Sequence, residues 1–258
     1  MTRKVFWRTR KKTPSARNLT SLALDDAMSI LNSADIAKEW ASYAPRLSEL
    51  CQIQDGKTGG VNPGDRRALF YLVRAFRPAR VLEIGTHVGA STVHLVAALM
   101  RSAWEQIPHL VTVDIEDVND SSHSCWRQSG LEKSPKQMAE ELNTTVEITF
   151  VTDDSRHFFA TTNETFDFIF LDGDHAAETV YQDIVGSLDV IKKNGLIVLH
   201  DYFPGGPLWP EGPELGGPFT AAEKVRATGV AIKVIPLESL PWPTKLGSHV
   251  TSLALITR

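Results

Sequence analysis

The chain has 258 residues, of which 42% are hydrophobic and 22% charged, and its formal net charge is −4. This composition supports one large domain with a core and excludes an intrinsically disordered chain. The acidic balance argues against a general nucleic-acid-binding protein, because such proteins carry an excess of basic residues.

The cysteines and the first residues indicate the compartment. Cys51 and Cys125 form neither a zinc-binding spacing nor a disulfide framework, which favours a reducing environment. The opening "MTRKVFWRTRKK" is basic but lacks the apolar segment of a signal peptide, and no apolar run reaches the length of a membrane span. We therefore expect a cytoplasmic protein that binds neither nucleic acid nor membrane, with a flexible basic tail over residues 1–18.

Residues 19–55 are predicted to form a helical extension. Its first helix, "TSLALDDAMSILNSA", has Thr20 and Ser21 as candidate N-caps. Its second helix contains Pro45, which we expect to break or kink it. The apolar residues of the second helix recur every three or four positions and form one face: Ile36, Trp40, Tyr43 and Leu47. This extension is also the expected contact of a homodimer.

Residues 56–258 are predicted to form an α/β domain. The apolar runs "ARVLEIG", "HLVTVDI", "VEITFVTDD", "FDFIFLDGD" and "GLIVLHDYF" are typical of parallel strands buried on both faces. The intervening helices are "ASTVHLVAALMRSAW", "SPKQMAEEL" and "AAETVYQDIVGSLDVIKK", and "DRRALFYLVRAF" precedes the first strand. Repeated strand–helix units predict a Rossmann-like, doubly wound sheet. A loop rich in proline and glycine, the helix "FTAAEKVRATG" and the strands "VAIKVIPL" and "TSLALITR" complete the chain.

Each predicted parallel strand ends in acidic residues. In "VLEIGTHVGAS", Gly85 permits a tight turn, while Glu83 would oppose a pyrophosphate and suits a positively charged ligand. Asp114 ends the second strand, where an acid can accept both hydroxyls of a ribose, and Glu116 is a rival two residues later. Asp153 and Asp154 end the third strand.

Polar residues that follow the fourth and fifth strands suggest a metal site. Asp172 and Asp201, with His175 and His200, are expected to converge because neighbouring carboxyl ends face one crevice. Two carboxylates suit Mg²⁺, and His200 as a third ligand favours a softer ion such as Mn²⁺. The alternative is that Asp172 caps the next helix and that His200 is an ordinary buried histidine.

Taken together, "VLEIGTHVGAS", "VTVDIED", "VTDDSRHFF", "FDFIFLDGDH" and "NGLIVLHDYF" resemble the strand-end motifs of class I S-adenosylmethionine-dependent methyltransferases of the small-molecule O-methyltransferase type. The resemblance covers about residues 56–258. It implies a mostly parallel seven-stranded sheet with a C-terminal antiparallel strand. It also implies S-adenosylmethionine as cofactor and cofactor-binding roles for ten residues: Gly60, Val61, Glu83, Gly85, Thr86, Ser91, Asp114, Asp154, Ser155 and Asp172.

The same resemblance implies a role for each of these residues. Ser91 would lie near the cofactor's carboxylate, Asp114 would hold the ribose, and Asp154 with Ser155 would face the adenine. A divalent cation, Mg²⁺ or Mn²⁺, would be held by three ligands: Asp172, His200 and Asp201. The catalytic residues would be Asp172 and a histidine, His175 or His200, that accepts the proton. The sequence departs from the family pattern at Ala177, where an aromatic residue is common, and at Asn194, where a glycine is common.

The function expected from this reading is methyl transfer to a hydroxyl of a small-molecule acceptor, aided by a divalent cation. Four alternatives stay open at this level. They are a metal-independent methyltransferase with a histidine base, a metallohydrolase built on "DGDH" and "HD", a non-catalytic cofactor-binding scaffold, and an NAD-dependent oxidoreductase. The last is disfavoured, because the glycine turn is not G-x-G-x-x-G and contains Glu83.

Overall fold

The computed structural model describes residues 22–51, 60–100, 106–122, 125–142, 145–205, 216–245 and 248–258. The predicted tail over residues 1–18 and the chain around residue 55, where the extension was predicted to end, lie outside these ranges. Within these ranges, no helix is both long and apolar enough to cross a membrane.

A seven-stranded sheet organises the structure, with the strand order β3-β2-β1-β4-β5-β7-β6. β1 to β5 are parallel, whereas β7 is antiparallel to both β5 and β6. The predicted mostly parallel sheet with an antiparallel C-terminal strand is therefore confirmed. The strands are β1 (Arg80–Ile84), β2 (His109–Asp114), β3 (Glu147–Thr152), β4 (Phe166–Leu171), β5 (Ile191–Leu199), β6 (Lys233–Pro236) and β7 (Ala254–Thr257).

Helices cover both faces of this sheet. Those of the described residues are α1 (Leu24–Leu31), α2 (Ala34–Leu50), α3 (Pro63–Phe76), α4 (Ala90–Leu99), α5 (Cys125–Gln128), α6 (Pro135–Glu141), α7 (Ser155–Thr161), α8 (Ala177–Val190) and α9 (Gly217–Ala227).

Alternate residues of each central strand enter two different cores. In β4, Phe168 and Phe170 pack with α3 and α4, whereas Ile169 and Leu171 pack with α8 and α9. Successive side chains of a strand point to opposite faces, so a strand buried on both faces needs apolar residues at every position. This explains why the strands read as continuous apolar runs in the sequence.

The helical extension packs on the first of these cores. Ile30 and Leu31 of α1, with Leu47 and Leu50 of α2, are buried in the same cluster as α3 and α4. α2 continues through Pro45, so the expectation that this proline breaks the helix is wrong.

Two further boundaries differ from the sequence prediction. The residue that precedes α1 is Ala23, so Thr20 and Ser21 are not its N-caps. β5 begins at Ile191, within the segment predicted to continue α8. Its pairing with β4 shifts between Phe166 and Phe168, and Asn194 adopts a left-handed backbone with φ 64°. This irregularity lets the strand start directly after the helix, without an intervening loop.

The topology determines where a ligand can bind. β1 and β4 are neighbours, although β2 and β3 lie on the other side of β1 and β5 lies beyond β4. Ligands of open α/β sheets bind where the strand order reverses, outside the carboxyl ends of the strands. The carboxyl ends of β1 and β4 are therefore expected to border the functional site.

The close packing of α8 on α7 gives a test of the fold. A methyl group added at Gly186 would lie 2.5 Å from Cγ and 2.9 Å from Cβ of Phe159. Overpacking costs about 1–3 kcal/mol, which exceeds the gain of about 1 kcal/mol from replacing a helical glycine by alanine. We expect Gly186→Ala to lower the free energy of unfolding by up to about 2 kcal/mol, measured by urea denaturation.

Two controls separate this clash from a general effect of alanine. Gly205→Ala should be neutral, because no atom of the described residues lies within 4 Å of its added methyl group. In a Phe159→Ala background, Gly186→Ala should become stabilising through helix propensity. A loss of stability that persists in that background would contradict the packing explanation.

Candidate active site

A cleft of about 880 Å³ opens at the carboxyl ends of β1 to β5. Its volume lies in the range of small-molecule and cofactor sites, about 300–1,000 Å³. Most of the residues predicted for the site line it: Gly60, Gly85, Thr86, Ser91, Asp114, Asp154, Ser155, Asp172, His175, His200 and Asp201. Val61 and Glu83 are buried behind its wall and do not line it.

The turn after β1 lies directly against the turn after β4. Gly85 has φ +93°, and a side chain there would overlap the backbone of Asp172. The amide of Asp172 donates to the carbonyl of Ile84 at 2.9 Å, which holds the two turns together. The glycine is needed because the two chains approach too closely for a Cβ atom and because the backbone is left-handed.

Asp114 is held in place at the end of β2 by backbone amides. Its carboxylate accepts hydrogen bonds from the amide of His87 at 2.8 Å and from the amide of Glu116 at 3.0 Å. A carboxylate has about four acceptor positions, so two remain for a ligand. Glu116, the rival in the sequence, is exposed and contributes its backbone to orienting Asp114.

Glu83 lies below the cleft on the α4 side of the sheet. It alternates with Leu82 and Ile84, which face the other core. Its carboxyl accepts hydrogen bonds from the hydroxyls of Thr92 and Thr112, each at 2.7 Å. Burial raises the pKa of Glu83 to about 7, although these hydroxyls favour the ionised form.

At the other end of the cleft, Asp154 begins α7 and pairs with a single arginine. Its Oδ1 accepts from the amide and the Nε of Arg156, both at 2.9 Å, and its Oδ2 accepts from Nη2 at 2.7 Å. The Arg156 guanidinium lowers the pKa of this carboxyl to about 2. Asp154 is therefore ionised and already bonded within its own loop.

Three predicted residues form the cluster best suited to a metal ion. Asp172, His175 and Asp201 each offer one ligand atom, and these atoms lie within 4.8 Å of one another. His175 Nε2 lies 3.0 Å from Oδ2 of Asp201, whose carboxylate raises the pKa of this histidine. Asp201 has a left-handed backbone with φ 53°, uncommon for a residue with a side chain. Such strain is typical of functional sites.

His200 lies in the cleft beside Asp172, as predicted, and a third carboxylate lies on its other side. Its Nδ1 lies 2.7 Å from Asp172 Oδ1, and its Nε2 lies 3.2 Å from Asp65 Oδ2. Burial alone would lower the pKa of His200, but the carboxylates of Asp172 and Asp201 raise it well above its ordinary value. Both ring nitrogens therefore lie at hydrogen-bond distance from carboxylate oxygens. The role of His200 as a metal ligand stays a prediction, whereas His175 belongs with Asp172 and Asp201 to the group whose ligand atoms lie within 4.8 Å of one another.

The residues that hold His200 were missed in the sequence. Asp65 is fully buried in the first turn of α3, and its Oδ1 accepts from the Thr251 hydroxyl at 2.5 Å. Ser252 lies at hydrogen-bond distance from Asp201, with Oγ 3.2 Å from its amide nitrogen and 3.3 Å from Oδ1. In the sequence, Asp65 resembles an ordinary helix-capping acid behind Asn62, and a threonine or serine near the chain end carries no signal of its own.

Comparisons with known proteins agree with this geometry. Residues 82–202 match the family described as a methyltransferase domain. The solved structure of the S-adenosylhomocysteine-bound methyltransferase PaMTH1 from Podospora anserina is 15% identical, covers 87% of each chain and has a TM-score of 0.53. No curated protein matches the chain in sequence.

Two further structures have the same fold. The O-methyltransferase TomG from Streptomyces achromogenes, in complex with S-adenosylmethionine, is 17% identical over 87% of this chain and 89% of that chain, with a TM-score of 0.52. An O-methyltransferase from Bacillus cereus, in complex with S-adenosylhomocysteine, is 18% identical over 92% of this chain and 97% of that chain, with a TM-score of 0.51.

The fold and the family match together define the class of protein. The seven-stranded sheet and the fold shared with these structures agree with the fold that the resemblance in the sequence implied. Residues 82–202, a little under half of the chain, match the family model. The chain therefore has the fold of these solved methyltransferases and a segment similar to a methyltransferase domain.

The buried carboxyl of Glu83 predicts a pH dependence of stability. Its pKa is about 7 in the folded protein, against an ordinary value of 4.5, so the folded state binds its proton more tightly. This stabilisation is present below pH 4.5 and is lost as the pH rises to about 7. Relative to Glu83→Gln, the free energy of unfolding of the wild type should fall by up to about 3 kcal/mol across this interval.

Urea denaturation at several pH values measures this difference. Glu140→Gln, which neutralises an exposed glutamate of α6, is the matched control and should follow the wild type. If the free energy of unfolding of the wild type and of Glu83→Gln depended on pH in the same way, Glu83 would not change its protonation on folding.

Proposed function

We propose that the protein transfers a methyl group from S-adenosylmethionine to a hydroxyl of a small-molecule acceptor, with a divalent cation at Asp172, His175 and Asp201. One observation carries the proposal. A single cleft in a methyltransferase domain brings the oriented carboxylate of Asp114 and this three-residue cluster to the same edge of the sheet. TomG and the Bacillus cereus protein, which share the fold, are O-methyltransferases in complex with S-adenosylmethionine and S-adenosylhomocysteine.

The chemistry of the cleft suits a cofactor that carries a positive sulfonium and no phosphate. Acidic side chains dominate the lining, and the nearest cation, Arg156, is bonded to Asp154. Asp114 would accept the ribose hydroxyls with its two remaining acceptor positions. Gly60, Thr86 and Ser91 border the part of the cleft proposed for the methionine end.

The three candidate ligands fit a small divalent cation. Two carboxylates and one imidazole suit Mn²⁺ and, with water ligands, Mg²⁺. A cation bound there would lower the pKa of the acceptor hydroxyl and hold it in place. Two further side chains would keep the ligands in position. His200 orients Asp172, and Ser252 lies at hydrogen-bond distance from Asp201. Catalysis would then depend on positioning, because the sulfonium methyl needs little activation.

A metal-independent reaction is the second candidate, and the pair of His175 and Asp201 favours it. His175 is the more exposed of the two cleft histidines predicted as bases, at 37% of its side-chain surface against 9% for His200. With Asp201 3.0 Å away, His175 can accept a proton from an acceptor hydroxyl and keep its charge compensated. His200 is not suited to this role, because carboxylates occupy both of its nitrogens. The hydrolase alternative lacks support from the methyltransferase match.

Two expectations from the sequence stay predictions. The acceptor is expected to be a hydroxylated small molecule, and a homodimer is expected to form through the helical extension.

Cofactor binding is tested by calorimetry with S-adenosylmethionine. We expect the wild type to bind and Asp114→Ala to bind about 10- to 100-fold more weakly, because a charge-assisted hydrogen bond to the ribose is lost. Asp117→Ala, which removes an exposed acid three residues away, should bind like the wild type. Absence of binding by the wild type would overturn the proposed function.

The cation is tested by titrating the protein with Mn²⁺ alone, followed by calorimetry. We expect one binding event in the wild type and a loss of about 100-fold or more in Asp172→Asn/Asp201→Asn, since even changes beyond the direct ligands cost about 10- to 100-fold. Asp174→Asn should bind Mn²⁺ like the wild type, because Asp174 is not one of the three ligands and accepts from the amides of His175 and Ala176 and from the Thr179 side chain. A wild type that binds no Mn²⁺ would leave the histidine-base mechanism as the conclusion.

A further inference from the structure

A buried acid of α8 lies on the wall of the cleft and has no role in the proposed chemistry. Asp183 is only 3% exposed, yet it lines the cleft together with Thr179, one helical turn earlier. It lies at the end of the cleft formed by Asp154, Ser155 and Arg156. Its neighbours along α8, Val180 and Ile184, are apolar core residues.

One oxygen of this carboxyl is unsatisfied. Oδ1 of Asp183 is buried and has no hydrogen-bond partner among the described residues. A buried polar atom without a partner is destabilising, and native proteins retain few of them. Burial, together with the nearby Asp154 and Asp174 carboxylates, raises the pKa of Asp183 to about 6, although the Ser155 hydroxyl lowers it. An N–H donor supplied by a ligand would complete the bonding of this carboxyl.

The acid expected to face the adenine is already engaged. Both oxygens of Asp154 accept from Arg156, in a bidentate arrangement that holds the carboxylate within its own loop. Asp183 Oδ1 is therefore the buried acceptor of this end of the cleft that is not committed to another group. An adenine offers one exocyclic amino group, which can only donate, and this complements a carboxylate oxygen.

We propose that Asp183 accepts a hydrogen bond from the exocyclic amino group of the cofactor's adenine and so selects adenine over hypoxanthine at this end of the cleft. This inference rests on the proposed function, since it presumes that S-adenosylmethionine occupies the cleft. In a hypoxanthine, the amino group is replaced by a carbonyl oxygen, which would face the carboxylate of Asp183 and repel it. An asparagine at this position could instead rotate its amide and donate to that carbonyl.

The test compares two ligands and three proteins by calorimetry. The ligands are S-adenosylhomocysteine and S-inosylhomocysteine, which differ at the amino group and the adjacent ring nitrogen. We expect the wild type to prefer the adenosine compound by about 10- to 100-fold, as for loss of a hydrogen bond to a charged group. Asp183→Asn should abolish this preference, whereas Asp189→Asn, which changes an exposed acid of the same helix, should preserve it.

The ratio of the two affinities separates recognition from a structural effect. If Asp183 only supports the fold, Asp183→Asn will weaken both ligands equally and leave the ratio unchanged, and the proposal is overturned. If Asp183→Asn does not fold, the wild type still tests the proposal, because equal affinity of the wild type for the two ligands would also overturn the proposal. A wild type that binds neither ligand would instead remove the proposed function and this inference with it.

Discussion

The candidate cluster depends on one buried side chain, the imidazole of His200. Asp65, Asp172 and Asp201 all lie within 3.4 Å of its ring nitrogens. Three carboxylates so close together would repel one another strongly in a water-poor environment. The His200 ring lies between them, lowers the pKa of Asp201 and fixes the direction of Asp172. His175 can then face the cleft as the histidine available to a ligand.

The acidic residues around the cleft differ in pKa and in their free hydrogen-bond acceptor positions, because their surroundings differ. Glu83 is buried among hydroxyls and its pKa is raised to about 7, whereas the pKa of Asp154 is lowered to about 2 by Arg156. Asp114 accepts two backbone amides and keeps free acceptor positions. Acidic residues that look alike in the sequence therefore have different properties in the structure. Burial and hydrogen-bond partners determine the pKa of each one and whether it can still bind a ligand.

The sequence was sufficient to predict the sheet and the convergence of polar residues in one cleft, because a strand buried on both faces must be apolar throughout and parallel strands end at one edge. It was not sufficient to distinguish the surroundings of the two histidines. His175 and His200 follow similar motifs, and their surroundings differ through Asp65, which lies 135 residues from His200. The start of β5 was also missed, because residues 191–193 continue the helical pattern in the sequence, although the backbone is already extended at Ile191. Asp183 fits the α8 pattern as a polar helix position, and its burial depends on α8 packing against α7 and the sheet.

The hydroxyls of Thr251 and Ser252 extend the active site beyond the matched domain. The family match ends at residue 202, yet these two side chains contact Asp65 and Asp201 from the segment that leads into β7. The unit that aligns in sequence is therefore smaller than the unit that forms the site. A truncated chain that ends with the aligned region would lack the hydroxyls that contact the carboxylates of Asp65 and Asp201. The design of fragments or of domain transplants from this protein must therefore retain the segment that includes the last antiparallel strand.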